Sequence, residues 1–184
     1  MDQDWQLERK FCRFDASRGV TDGRLIEGYA SRFGDPDQGG DIVEKGAYAR
    51  SLRRLAAEGR QVKMLWQHDP TQPIGVWDEG REDDTGLYVK GRLIDSVARA
   101  REAAALIAAG AIDGLSIGYR TLRAARNGEG RRLLRELELW EVSLVTFPML
   151  PSARVAAKGE IGALDGLREL AAAFEDARRE LARM

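Results

Sequence analysis

Gly114-Leu115-Ser116-Ile117-Gly118-Tyr119-Arg120-Thr121-Leu122 is the stretch on which the fold turns. Its first five residues match G-x-S-x-G, the nucleophile elbow, in which a strand turns sharply into a helix and a histidine follows later in the chain. Neither condition holds. The segment runs on with the residue types of a strand. His68, the one histidine of the chain, precedes the serine. Within a strand, Gly114, Ser116 and Gly118 share one face, and Leu115, Ile117 and Tyr119 share the other. Glycine neighbours leave space over the hydroxyl for a substrate backbone to approach. Taken alone, a strand serine beside a bulge is the more frequent meaning of such a pattern.

Working outward, strands are predicted over residues 6–14, 24–33, 62–68, 74–77, 87–94, 112–122, 132–137 and 139–147. Residues 34–41 read as a loop, and 82–86 as the turn of a hairpin. Helical periodicity covers 46–57 through Ala47, Leu52 and Leu55. Asp95-Ser96 reads as the N-cap of a helix running to about Ala109 and closed by Gly110. From about Ala163, Leu167, Leu170, Phe174, Ala177 and Leu181 make one apolar stripe on a terminal helix. Strands do not alternate strictly with helices, so a doubly wound parallel sheet is not expected. The pattern predicts a mainly β, α+β protein: a small antiparallel, barrel-like sheet with surrounding helices and a C-terminal helix. One domain over residues 1–158 is followed by an amphipathic helix over 159–184, packed on the body or on a partner subunit.

Composition narrows the function. The chain has 184 residues, with 29 Lys+Arg against 30 Asp+Glu and a net charge of -1. That balance provides no global field to attract nucleic acid or acidic lipid. A single cysteine, Cys12, excludes an internal disulfide and a cysteine-based zinc site, and the single histidine excludes a multi-histidine metal site. No metal and no cofactor is expected. No stretch approaches the ~18 apolar residues of a membrane helix. Met1-Asp2-Gln3-Asp4 has no apolar run behind it, so a secretory signal is not expected. A reducing, cytoplasm-like compartment follows from these readings.

Two further segments carry chemistry. Val62, Met64, Trp66 and His68 share a face of one predicted strand, with the histidine at its end beside a turn. Leu139-Trp140-Glu141-Val142-Ser143-Leu144-Val145 places a carboxylate in a run that reads as buried. A buried carboxylate needs a partner or a shifted pKa, and an arginine from 131–135 is the partner in the purely structural case. Asp84-Thr85-Gly86 imitates an aspartic-protease signature, but its acidic flank marks a plain turn. Asp35, Asp37 and Asp41 lack the glutamate of a calcium loop, since Gly46 stands at the twelfth position. Cys12 reads as a buried small hydrophobe.

Several ordered motifs over about residues 8–155 resemble one family. They are Glu27-Gly28-Tyr29-Ala30-Ser31-Arg32-Phe33, Gly40-Asp41-Ile42-Val43 with Gly46-Ala47-Tyr48, and Met64-Leu65-Trp66-Gln67-His68-Asp69 with Pro73-Ile74-Gly75. Gly114 to Tyr119 and Glu141-Val142-Ser143-Leu144-Val145-Thr146 with Pro148 follow. The order is similar to that of the prohead proteases of tailed phages, whose fold is similar to herpesvirus assemblins and whose genes also occur in phage-derived particles such as gene transfer agents. The resemblance implies a serine endopeptidase that cuts the scaffold segment of the major capsid protein, and itself, during prohead maturation. It implies action inside the assembling procapsid in the host cytoplasm. The major capsid protein is the implied partner, homo-oligomers stay open, and neither membrane nor direct nucleic-acid binding is implied. Ser116 matches the nucleophile and His68 the general base. Glu141 matches the region of the third member, where assemblins use a second histidine that this chain lacks. The likeness points to Arg154 as the oxyanion donor, with Arg120, on the strand face of Ser116, as the alternative. A histidine base predicts a rate that rises with pH as the imidazole loses its proton.

Two other readings compete. One is a scaffolding or capsid-assembly protein on the same fold without turnover. The other is a hydrolase of small esters, which requires a deep apolar pocket.

Overall fold

Strands form where β-branched and aromatic residues alternate, and helices where alanine and leucine repeat. The computed structural model describes residues 8–13, 24–37 and 39–146. The strands are β1 (Glu8–Arg13), β2 (Leu25–Arg32), β3 (Ile42–Val43), β4 (Lys63–Trp66), β5 (Asp69–Glu82), β6 (Gly86–Leu93), β7 (Gly114–Arg126) and β8 (Arg132–Val145). The helices are α1 (Ala49–Ala57) and α2 (Ala98–Ala108). The strands form one 8-stranded sheet in the order β1-β7-β8-β4-β5-β6-β2, with β3 beside β8. The sheet curls into a half-barrel whose end strands β1 and β2 come into contact.

The mainly β architecture agrees with the reading of the sequence, with one correction. The sheet is mixed, because β3 and β4 both run parallel to β8. A parallel pair needs a long crossover. Between β4 and β8 it is supplied by β5, β6, α2 and β7. As a result β8 is hydrogen-bonded to the strand of Ser116 on one side and to the strand that leads into His68 on the other.

β8 is also one strand where two runs were expected. The expected break is absorbed as a bulge. The ladder steps from Gly118 opposite Glu141 to Tyr119 opposite Leu139, leaving Trp140 out of register. The displaced strand finds partners in α1 and in the segment leading into it. The Leu139 N–H donates to Ser51 Oγ at 2.9 Å, and the Leu137 N–H donates to the Ala47 carbonyl at 2.9 Å. Ala47, just before α1, and Ser51, within it, are both buried at this contact.

The N-cap expected at Asp95-Ser96 is not used. The cap residue of α2 is Val97 and has no side-chain bond. The Asp95 carboxylate pairs instead with Arg24 at 3.2 Å, and its carbonyl accepts from Arg101 Nη1 at 2.7 Å. Gly110, at φ 72°, closes α2 as expected. The core is built from both sheet faces and both helices. Leu115, Ile117, Leu134, Leu137, Val142 and Leu144 from β7 and β8 are fully buried. Ala100, Ala103 and Ile107 supply the buried stripe of α2. The terminal helix expected after residue 159 and Arg154 lie outside the described residues, as does the side chain of Cys12.

Candidate active site

Ser116 lies near the start of β7, paired with Phe11 of β1 on one side and Ser143 of β8 on the other. Its strand neighbours Leu115 and Ile117 are fully buried, and Ser116 itself is 0% exposed. Packing of this strand on both sides leaves the hydroxyl a fixed position in the sheet.

His68 does not continue the face of Met64 and Trp66, as the strand reading expected. β4 ends at Trp66, which pairs with Asp69 at the start of β5, so Gln67 and His68 form the two-residue link of a hairpin. Both residues have positive φ, 52° and 62°. A tight hairpin demands this, and Asn-Gly is the pair that meets it without strain. A non-glycine residue in this region costs about 1–2 kcal/mol. The turn is held from outside by β8. The Gln67 N–H donates to the Leu144 carbonyl at 2.9 Å, Gln67 Nε2 to Thr146 Oγ1 at 2.7 Å, and the His68 N–H to Ser143 Oγ at 3.2 Å. The strain carries the imidazole out of the β4 face and over the neighbouring strands.

There His68 Nε2 lies 2.6 Å from Ser116 Oγ, and Nδ1 lies 2.5 Å from Glu141 Oε1. The buried carboxylate therefore has the histidine as its partner, and no arginine from 131–135 is needed. Its other oxygen, Oε2, accepts from Ser143 Oγ at 2.5 Å. His68 is 7% exposed and Glu141 4%.

Gly118 has a different use from the one expected. A Cβ there would collide with the carboxyl group of Glu141, directly opposite on β8. The missing side chain makes room for the carboxylate and opens no path to substrate. Gly114 begins β7, buried between Arg13 and Val145 in the ladder. Arg120 is not brought to the site. It lies beyond the bulge, roughly 13 Å along the strand from Ser116, with Nη2 2.6 Å from Glu138 Oε2. Burial works to raise the pKa of Glu138. The Arg54 hydrogen bond and the charge of Arg120 overcome it and hold the carboxyl below its usual range.

Asp69, the acidic neighbour of His68, turns away from the ring. The Thr71 hydroxyl at 2.6 Å, the Thr71 N–H at 2.8 Å and Gln72 Nε2 at 2.9 Å hold its carboxyl below the usual range. Asp41 forms an ion pair with Arg132 at 2.6 Å, consistent with a structural loop. Among the described residues no three of His, Cys, Asp or Glu gather as a metal site would require. An apolar-walled cavity of about 410 Å³ lies between α1, β5 and β6, lined by Leu52, Leu55, Trp77 and Leu87 among others. None of the three clustered residues lines it.

Ser143 is the residue that the sequence reading missed. The signal was available, because Glu141 and Ser143 share a strand face and a buried carboxylate needs donors for both oxygens. The polarity of the cluster follows from one fixed donor. A backbone N–H can only donate, so His68 N–H gives its proton to Ser143 Oγ, which turns its own proton toward Glu141. The carboxylate accepts on both oxygens, so the Nδ1–H of His68 donates to Oε1. Nε2 is then left with a lone pair facing Ser116. A serine, a general base and an orienting carboxylate in that relation are what acyl transfer requires.

Comparison with known proteins bears on this arrangement. Residues 13–164 match a family model described as the caudovirus prohead serine protease. The chain is 32% identical over 149 residues to the prohead protease of Enterobacteria phage HK97. The match takes in 79% of this chain and spans 65% of the length of that curated relative. Among solved structures, the bacteriophage T4 capsid assembly protease is similar in fold, with a TM-score of 0.61 at 19% identity. That match covers 78% of this chain and 98% of the T4 chain.

Proposed function

The chain belongs to the caudovirus prohead serine protease family, and from that premise we propose that it is a serine endopeptidase of capsid maturation. It cleaves the scaffold segment of the major capsid protein, and itself, inside the assembling procapsid in the host cytoplasm. The observation that carries this reading is the contact of Ser116 Oγ with His68 Nε2 at 2.6 Å, with Nδ1 backed by Glu141 at 2.5 Å.

In the reaction, Ser116 Oγ attacks the scissile carbonyl as His68 Nε2 takes its proton. The tetrahedral intermediate collapses when His68 returns that proton to the leaving amine. The acyl-enzyme is then hydrolysed by water through the same base. Glu141 keeps the Nδ1 proton in place and stabilises the imidazolium as it forms. A protease must read a peptide backbone, so the substrate binds extended, adding a strand to the sheet. On this reading residues 1–158 form the protease domain, and 159–184 a helix packed on the body or on a partner subunit.

The test is co-expression with a major capsid protein carrying its scaffold segment, followed by intact-mass spectrometry. Wild type yields shortened capsid protein or a shortened copy of itself, and Ser116→Ala yields neither. Equal cleavage by both proteins refutes the assignment. Tight binding of the capsid protein, with no product from either, favours the scaffolding reading.

A further inference from the structure

One buried polar side chain beside the site takes no part in the reaction itself. Ser143 is fully buried on β8, opposite Ser116 and two residues beyond Glu141 on the same face. Its oxygen accepts the backbone N–H of His68 at 3.2 Å, and its hydroxyl donates to Glu141 Oε2 at 2.5 Å. Glu141 Oε1 in turn lies 2.5 Å from His68 Nδ1. These three bonds close a ring that passes through one histidine twice, once at its backbone and once at its imidazole.

We propose that Ser143 is a positioning residue: its one hydroxyl fixes both the carboxylate that orients His68 and the strained turn that carries it. The inference rests on the serine-peptidase reading above. The geometry sets its content. Oε2 of a buried carboxylate left without a donor is free to rotate toward the imidazole or to recruit another proton. The His68 turn, which positive φ makes unfavourable, loses one of the bonds that compensate for it. The consequences are a mixed imidazole tautomer and a less reactive Ser116, with the two falling together.

The chain has a single histidine, so the ring can be observed without assignment. Full-length protein labelled with nitrogen-15 at histidine reports the Nδ1–H tautomer directly. A fluorophosphonate probe, followed by intact mass, reports the reactivity of Ser116. In wild type the expected spectrum is a single Nδ1–H form. Ser143→Ala is expected to react about ten- to a hundredfold more slowly, the scale of one hydrogen bond to a charged group, and to show both tautomers. Ser143→Thr, which retains a hydroxyl, is expected to recover a single tautomer and most of the rate. Wild-type rate and tautomer in Ser143→Ala overturn the inference. A slower rate with an unchanged tautomer also overturns it, because that marks a purely structural role. If Ser143→Ala does not fold, Ser143→Cys, with a similar volume and a weak S–H donor, serves in its place. Reduced rate and mixed tautomers then support the inference, and wild-type values overturn it. Ser116→Ala separates this inference from the one beneath it. Probe attachment that survives in Ser116→Ala refutes Ser116 as the nucleophile, whereas loss there with normal behaviour in Ser143→Ala refutes only the role of Ser143.

Discussion

Two tight turns of β5 are built on opposite principles. At its far end, Asp83 to Gly86 joins β5 to β6. The Asp83 carboxylate accepts from the N–H groups of Thr85 at 2.8 Å and Gly86 at 3.2 Å, and from Tyr29 Oη and Arg81 Nη1 at 2.8 Å each. That turn is largely self-made, from residues a few positions apart. At the near end, Gln67-His68 joins β4 to β5 with two positive φ values and no glycine or asparagine. It is held by Ser143, Leu144 and Thr146, more than seventy positions later in the chain. The turn that obeys local rules is structural, and the turn that breaks them carries His68, the proposed general base. Strain at a site persists where the surrounding fold over-determines it.

The contrast can be broken first at the histidine. His68→Ala is expected to slow fluorophosphonate labelling of Ser116 by roughly 10⁴-fold or more, as removal of a triad base does elsewhere. Labelling near the wild-type rate would mean that the strained turn serves no chemistry. Gly118→Ala forces the Glu141 carboxyl to move, and a displacement on the scale of 1 Å is expected to lower the same rate about a hundredfold. Mass spectrometry of timed samples measures both.

At the other turn the effect moves from activity to stability. Asp83→Ala is expected to destabilise the fold by about 1–3 kcal/mol, the scale of hydrogen bonds to a charged group, and to leave labelling unchanged. Urea unfolding measures the first. The pH dependence has a definite sign. Burial works to raise the Asp83 pKa, but the bonds from Thr85, Tyr29, Arg81 and Gly86 bring it down to about 2. Its stabilisation is therefore complete above the ordinary carboxylate range and is lost as pH falls through about 2. A wild-type acid transition no different from that of Asp83→Ala contradicts this. The smallest effect is expected at Gln67→Gly. Relief of positive φ and loss of the bond to Thr146 oppose each other, and the net change is under about 1 kcal/mol.

The same contrast explains what could be read from the residues. Glu82-Asp83-Asp84-Thr85-Gly86 announces its turn because the groups that make it are adjacent. Ser116 stood out by its glycine neighbours, and Glu141 by the improbability of an unpartnered carboxylate among Leu139, Val142 and Leu144. The bend at Gln67-His68 was read as strand, because the bonds that force it come from Ser143, Leu144 and Thr146, and no local residue signals them. The role of Gly118 was misjudged for a related reason. The space it leaves was visible, but its occupant is set by the register of β7 against β8. The parallel pairing of β4 with β8 was also illegible, since both directions present the same alternation.

Chain order adds one consequence. β8 is the latest of the described strands to be synthesised, and it alone bridges the neighbourhoods of Ser116 and His68. A ribosome that has passed Ser116 has made the proposed nucleophile and base but not the strand that brings them together. Until about residue 143 has left the exit tunnel, the nascent polypeptide lacks the strand that assembles the proposed site, so translation itself sets the earliest moment at which that site can form.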